Sequence, residues 1–232
     1  LDQSYKDLLI KNLLREYKNT VITSNKIIEN YFKNFKELYA DRITSNPVKF
    51  PGFRDAIEQA LENGVTPCGV VTGLATFTGE ENSENGSAKK QKTKKQKATY
   101  RVGLVVSNVE FQAGAFDMAS CEKVCRLLDD CARLKLPVIF FISSAGMQTK
   151  EGGGSLFSMS VINERITRFV KDLDLPVLCF GFRDCTGGAQ ASFVTHLLAR
   201  TYYLSGSQIP FAGQLVVESH LPVHSTLSNY LS

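Results

Sequence analysis

Two stretches of this chain, residues 137–142 (PVIFFI) and 176–182 (PVLCFGF), carry no polar side chain at all. A strand with one wet face alternates apolar and polar residues, so strands apolar throughout need cover on both faces. Parallel sheets flanked by helices provide that cover. The chain supplies helical patterns beside them, at residues 118–134 (MASCEKVCRLLDDCARL), 156–173 and 189–199. Each strand runs into a polar, glycine-rich turn, SSAGMQTKEGGGS at 143–155 and RDCTGG at 183–188. The repeating unit of helix, link, buried strand and turn predicts an α/β fold with parallel βαβ connections. Functional residues in such sheets collect at the carboxyl ends of the strands, and here those ends are the two glycine turns.

Upstream, residues 3–44 place Leu8, Leu9, Leu13, Leu14, Tyr17, Val21, Ile27, Ile28, Tyr31, Phe32, Phe35 and Leu38 at helical spacing. This predicts an N-terminal helical arm over 1–45, made of two helices with a weak point near Thr23-Ser24-Asn25. A further short helix is expected over 53–63, closed by Gly64. Residues 46–232 then form the main domain. After Pro67, CGVVTGLATF and, from Tyr100, YRVGLVVSNVEF read as two neighbouring strands. The segment between them has nothing to bury, which predicts a mobile lysine-rich insert over 79–98.

With 43% apolar residues in 232, the chain can bury a core and is not a disordered polymer. No run approaches the ~20 apolar residues of a membrane-spanning helix. The net charge of +4 is local, because residues 79–97 hold six lysines against three glutamates. A nucleic-acid partner would have to rest on that segment alone, and none is expected. Cys68, Cys121, Cys125, Cys131, Cys179 and Cys185 form no CxxC pair, and the pattern suits reduced thiols inside a cell. The chain begins at Leu1, which suggests a processed or trimmed product.

A glycine-rich turn between a buried strand and a helix can aim unpaired N–H groups at one point, where an anion binds. That anion is a phosphate in a nucleotide site, or an oxygen that charges during reaction in an oxyanion hole. Neither GxxxxGK[ST] nor GxGxxG in its βαβ setting is present, which disfavours the nucleotide. His196, His220 and His224 show no metal-binding spacing, no metal is expected, and no GxSxG elbow occurs. Ser143 and Ser144 follow a strand without a recognisable base partner. Glu151 and Asp184, one in each turn, read either as an acid–base pair or as helix caps. Cys121 and Cys125, four apart on a helix, read as buried packing. Backbone amides remain the best catalytic candidates.

At these turns the chain resembles the carboxyltransferase β subunit of multisubunit acetyl-CoA carboxylase, a crotonase-superfamily protein. FQAGAFDM at 111–118 resembles the family's F-x-G-G-S-M, and SSAGMQTKEGGGSLFSM at 143–159 its S-G-G-A-R-M-Q-E-x-x-x-S-L-x-x-M. RDCTGGAQASF at 183–193 resembles D-P-T-T-G-G-V-x-A-S-F, and PFAGQLVVE at 210–218 resembles G-F-A-G-P-R-V-I-E. The likeness covers roughly residues 46–232. The family's four-cysteine zinc ribbon has no counterpart, and the expected G-G-A-R reads Ala145-Gly146-Met147-Gln148. The expected P-R of the fourth segment reads Gln214-Leu215.

The resemblance implies a crotonase-like fold of repeated ββα units behind the helical arm. It implies carboxyl transfer to acetyl-CoA, giving malonyl-CoA for fatty acid synthesis, from carboxybiotin on a carrier protein. The amides of Gly187 and Gly188 would be catalytic; Gly114, Ala145, Gly146, Lys150 and Thr186 would line the substrate. An α subunit would complete the site in an α2β2 assembly, with biotin carboxyl carrier protein and biotin carboxylase as wider partners. Bacterial cytoplasm, or alternatively plastid stroma, is the compartment implied. The altered first turn keeps a second reading open, a crotonase-fold subunit that scaffolds such a complex with impaired turnover.

Overall fold

The computed structural model describes residues 22–82, 95–210 and 212. Their strands form one six-stranded sheet in sequential order: β1 (Lys33–Glu37), β2 (Val70–Asn82), β3 (Lys95–Ser107), β4 (Val138–Ser144), β5 (Val177–Cys185) and β6 (Arg200–Tyr203). The first three pair antiparallel, and β3 through β6 run parallel. The helices are α1 (Ser24–Tyr31), α2 (Phe53–Glu62), α3 (Met118–Leu134) and α4 (Gly153–Lys171). Thus α3 is the crossover from β3 to β4, and α4 the crossover from β4 to β5, as the apolar strands require.

Alternation along β4 and β5 sorts the core into two layers. Val138, Phe140, Ile142, Val177 and Cys179 face α3 and α4, where they meet Val124, Leu127, Leu128, Cys131, Ile162, Ile166 and Phe169. Ile139, Phe141, Leu178, Phe180 and Phe182 point the other way, toward Ile27, Ile28 and Phe32 at the end of α1. Fully burying side chains of this size is worth roughly 1.5–3 kcal/mol each, so the double-sided strands carry much of the stability. On the α1 side the rings of Tyr31, Phe141, Phe180 and Tyr202 stack in a row across the sheet, with centroid spacings of 6.1, 5.3 and 5.5 Å.

Helix α3 begins where Asp117 accepts from the Ser120 N–H at 2.6 Å, and it stops at Lys135, whose φ is 53°. Both ends obey capping rules. Asp117 also accepts from the Gly69 N–H at 3.0 Å, tying the helix to the start of β2. Burial pushes its carboxyl above the usual range, against those hydrogen bonds.

Two expectations are corrected. The helical reading of residues 33–44 fails, because Lys33–Glu37 is the edge strand β1 and residues 38–44 are turn and extended chain. β2 would otherwise present an unpaired edge; the Leu38 N–H bonds to the Thr72 carbonyl, and the Thr72 hydroxyl donates back to the Leu38 carbonyl. The first expected helix, up to residue 21, lies outside the described residues.

The helix expected over 189–199 is cut short. A single turn, Gly187–Ala189, continues as a π-type turn, Gln190–Val194, and ends. The hydroxyls of Ser192, Thr195 and Thr201 donate to the carbonyls of Gly188, Gln190 and Val194. Those bonds compete with helix propagation.

The hairpin ladder extends into the lysine-rich insert as far as Asn82 opposite Lys95. Residues 83–94 of the insert lie outside the described set. So does nearly all of the fourth matching segment, 210–218. No helix among the described residues is long and apolar enough to cross a membrane.

Candidate functional site

The carboxyl ends of β3, β4 and β5 converge on a cavity of about 400 Å³ lined by Val109, Ala113, Ser143, Ser144, Ala145, Arg183, Asp184 and Thr186. Each end is held by hydrogen bonds that consume its polar groups. The Ser143 N–H donates to the Ser107 hydroxyl at 3.1 Å, and the Ser143 hydroxyl donates to the Asp184 carbonyl at 3.1 Å. The Ser144 hydroxyl donates to the Gly114 carbonyl at 2.8 Å and accepts from the Gly146 N–H at 3.1 Å. Both serines are therefore staples of the turn, with no base aligned on either among the described residues.

The two glycine turns pack against each other. The Thr186 N–H donates to the Ser144 carbonyl at 2.9 Å. Gly146 has φ 106° and Gly187 φ 60°, conformations that side chains rarely adopt. A methyl group on Gly146 would lie 3.3 Å from the Thr186 carbonyl oxygen. Beyond Thr186, the N–H groups of Gly187 and Gly188 head a helical turn, and neither meets an acceptor among the described residues. First-turn amides of a helix have no internal partner and carry partial positive charge.

In the other turn the Ala145 N–H is spent on the Ala113 carbonyl at 3.1 Å and that of Gly146 on Ser144. The Met147 N–H has no acceptor among the described residues. The Met147 side chain lies directly under Gly188, whose added methyl would come within 2.7 Å of the Met147 Cγ.

Of the other residues singled out from sequence, Ala145 and Thr186 line the cavity. Gly114 does not; it is buried behind, where a methyl group would sit 2.3 Å from the Ser143 carbonyl oxygen, and its φ is 68°. Its neighbour Ala113 reaches the cavity instead, at φ 51° beside Gln112 at φ 47°. Non-glycine residues in the left-handed region mark a local constraint. Lys150 is held away from the cavity lining, with its Nζ 2.8 Å from the Gln112 Oε1 and 5.2 Å over the Phe53 ring.

Glu151 and Asp184 do not form a pair. Glu151 accepts from the Thr44 hydroxyl and, at 2.6 Å, from the Met118 N–H at the head of α3. Burial, reinforced by the nearby Asp117 charge, raises its carboxyl above the usual range. Asp184 lines the cavity and accepts from the Gln208 N–H at 3.1 Å. His196 is structural: its Nδ1 accepts from the Leu198 N–H at 3.2 Å, its Nε2 meets the Thr167 hydroxyl at 3.0 Å, and burial lowers its pKa. Among the described residues no three His, Cys, Asp or Glu side chains are grouped as metal ligands. Val109 and Ala113 were missed from sequence; the signal available was the FQAGAF stretch itself, which bends the chain from β3 toward α3.

No family model matches the chain. In sequence it is 30% identical over 190 residues to the acetyl-coenzyme A carboxylase carboxyl transferase subunit beta 1 of Lachnospira eligens, covering 80% of this chain and 64% of that protein. In structure it superposes on transcarboxylase 12S, in a crystal with methylmalonyl-coenzyme A and methylmalonic acid bound. The TM-score is 0.66 at 18% identity, over 90% of this chain and 35% of that one. The chain has the crotonase fold.

It is also a homologue of the carboxyl transferase β subunit, although it spans less than two thirds of that relative's length. A Pseudomonas malonate decarboxylase hetero-tetramer in complex with malonate shares the fold too, with a TM-score of 0.59 at 15% identity over 90% of this chain and 66% of that chain. In this crotonase-fold chain the glycine turns of β4 and β5 thus meet at one mouth, where the N–H groups of Met147, Gly187 and Gly188 have no acceptor among the described residues.

Proposed function

We propose that this chain is the β-type half of a biotin-dependent carboxyltransferase, moving a carboxyl group to acetyl-CoA to give malonyl-CoA for fatty acid synthesis. The observation that carries the reading is the pair of N–H groups at Gly187 and Gly188, which meet no acceptor among the described residues and follow directly on Thr186 in the cavity lining. Carboxybiotin on a carrier protein would supply the activated carboxyl group. The difficult step on the acceptor is loss of a methyl proton from a thioester, which leaves negative charge on the carbonyl oxygen. Two amides fixed by a helical turn stabilise that oxygen as it charges, and losing one such donor costs ~10²- to 10³-fold in rate.

The cavity suits an oxygen anion more than a protein-based nucleophile, since both serine hydroxyls are donated to backbone carbonyls. A partner crotonase-like subunit would close the open side of the site. We place the chain with an α subunit in an α2β2 assembly, served by a biotin carboxyl carrier protein and a biotin carboxylase, in bacterial cytoplasm.

A second reading, a scaffold subunit with impaired turnover, is favoured by one feature: in Ala145-Gly146-Met147-Gln148 the amides of Ala145 and Gly146 are spent on the Ala113 carbonyl and the Ser144 hydroxyl. A reverse-transfer assay separates the two, with malonyl-CoA and free biotin supplied to the complex purified with its α partner. Transfer that falls at least ~10²-fold in Gly188→Val, with the complex still assembled, is expected. An assembled wild-type complex without transfer would establish the scaffold, and malonate decarboxylation in its place would reassign the reaction.

A further inference from the structure

Three successive residues in the turn after β3 are left-handed: Gln112, Ala113 and Gly114, at φ 47°, 51° and 68°. Glycine visits that region at little cost, and other residues do so rarely and singly, so Gln112 and Ala113 need neighbours to hold them there. All three are gripped by the segment that follows β4. The Ser144 hydroxyl donates to the Gly114 carbonyl at 2.8 Å, and the Ala145 N–H donates to the Ala113 carbonyl at 3.1 Å. The Lys150 ammonium donates to the Gln112 Oε1 at 2.8 Å.

Lys150 is itself fixed from a second side. Its Nζ stands 5.2 Å over the ring of Phe53, a fully buried residue at the head of α2 that stacks on Phe111 with centroids 6.3 Å apart. Phe111 directly precedes Gln112, and its carbonyl accepts from the Gly114 N–H at 3.0 Å. Ammonium, ring and amide thus form one clamp on the first left-handed residue. A cation is attracted to an aromatic face, and a charged donor makes a stronger hydrogen bond than a neutral one. The clamp bears on the candidate site because Ala113 and Ala145 both line the cavity.

We infer that Lys150 is a positioning residue: by clamping Gln112 it keeps the 112–114 turn left-handed, and that turn sets Ala113 and the Ala145 amide at the mouth of the cavity. Its effect on turnover rests on the proposed carboxyltransferase activity, whereas its effect on the turn does not. Without the ammonium, Gln112 favours an ordinary negative φ by roughly 10-fold, the usual penalty of the left-handed conformation for an L-residue. The Ala113 carbonyl then swings off the Ala145 N–H, and that wall of the cavity moves with it. A lysine acting in this way touches no substrate, so its loss lowers kcat and leaves the KM of the thioester alone.

The test compares Lys150→Met, which removes the donor and the charge, with Lys150→Arg and with Lys150→Met combined with Gln112→Gly. Amide hydrogen exchange, read residue by residue on the full chain, reports the turn directly. Exchange of the Ala145 N–H is expected to rise ~10-fold in Lys150→Met and to return to the wild-type rate in the other two, because arginine keeps a cationic donor and glycine holds φ 47° without a clamp. Reverse transfer by the complex with its α partner is expected to follow: in Lys150→Met kcat falls at least ~10-fold with the KM of malonyl-CoA within ~2-fold, and the added glycine restores kcat. Unchanged Ala145 exchange in Lys150→Met would overturn the assignment. So would a raised KM at constant kcat, which marks a lysine that binds the CoA phosphates. A wild-type complex without transfer removes the carboxyltransferase activity alone, and the exchange rates still decide the clamp.

Discussion

A methyl group placed on Gly146 would sit 3.5 Å from the Gly187 Cα and 3.6 Å from the Gly188 nitrogen, so the turns after β4 and β5 meet backbone to backbone. No side chain separates them, and the position of each turn therefore fixes the other.

Gly187→Ala tests this contact. At φ 60° an alanine is strained by about 1 kcal/mol, which for a chain of this size lowers the melting temperature by roughly 2–4 °C. Alanine keeps the amide N–H, so reverse carboxyl transfer is expected to fall only as far as relief of the strain at φ 60° turns that N–H away from the oxygen it would meet. Thermal unfolding and turnover measured on one preparation distinguish the effects. Unchanged turnover would show that the contact with Gly146 holds the residue 187 amide in place despite the strain.

Phe116 is fully buried and lies 4.5 Å from Phe193, centroid to centroid, so it braces the π-type turn that continues from Gly187–Ala189. Phe116→Ala is expected to cost about 3–5 kcal/mol in urea unfolding, and Phe116→Leu distinctly less. A cost under about 1 kcal/mol for the alanine would show that the turn is braced elsewhere.

Glu151 sets a pH dependence. Its folded-state pKa is raised, so its proton is held more tightly in the folded chain than in the unfolded one. The stability this contributes is complete below the ordinary glutamate value of 4.5 and is lost as pH rises through the higher folded value. Glu151→Gln removes the titration. The stability of wild type relative to the variant should therefore decline as pH increases from about 4 toward neutrality, measured by urea unfolding at each pH. A flat difference across that range would place the proton elsewhere. Asp117 is raised in the same direction, so the variant lessens the slope without abolishing it.

The ion pair from Arg165 to Asp129, at 2.6 Å, joins α4 to α3 on the surface. Exposed pairs contribute little, and Asp129→Asn is expected to change stability by under about 1 kcal/mol, with salt making the difference smaller still. A larger loss would mean that this bridge, and not the apolar seam beneath it, sets the spacing of the two helices.

Much of this architecture is legible in the residues. The limits of α3 can be read from Asp117 and the apolar spacing after it, and the apolar strands at Val138 and Val177 announce their two-sided cover. What sequence misjudged was decided between segments. Tyr31, Phe32, Phe35 and Leu38 suit a helix by spacing, yet residues 33–37 are a strand because β2 offers an edge to pair with. Ser192, Thr195 and Thr201 end a helix early by bonding to its carbonyls, a competition that helical periodicity does not record. Glu151 and Asp184 looked alike in their turns but belong to different cavities, since one reaches across to Thr44 and the head of α3.

By itself, then, the amino-acid order determined that buried parallel strands lie between helices and that two glycine turns close those strands. These properties depend on local periodicity and on φ values that only a few residues tolerate. Tertiary structure decided which amides of those turns find an acceptor among the described residues and which carboxyl is buried. Each of those depends on an atom brought from a distant part of the chain, and no local pattern specifies the distance at which it arrives.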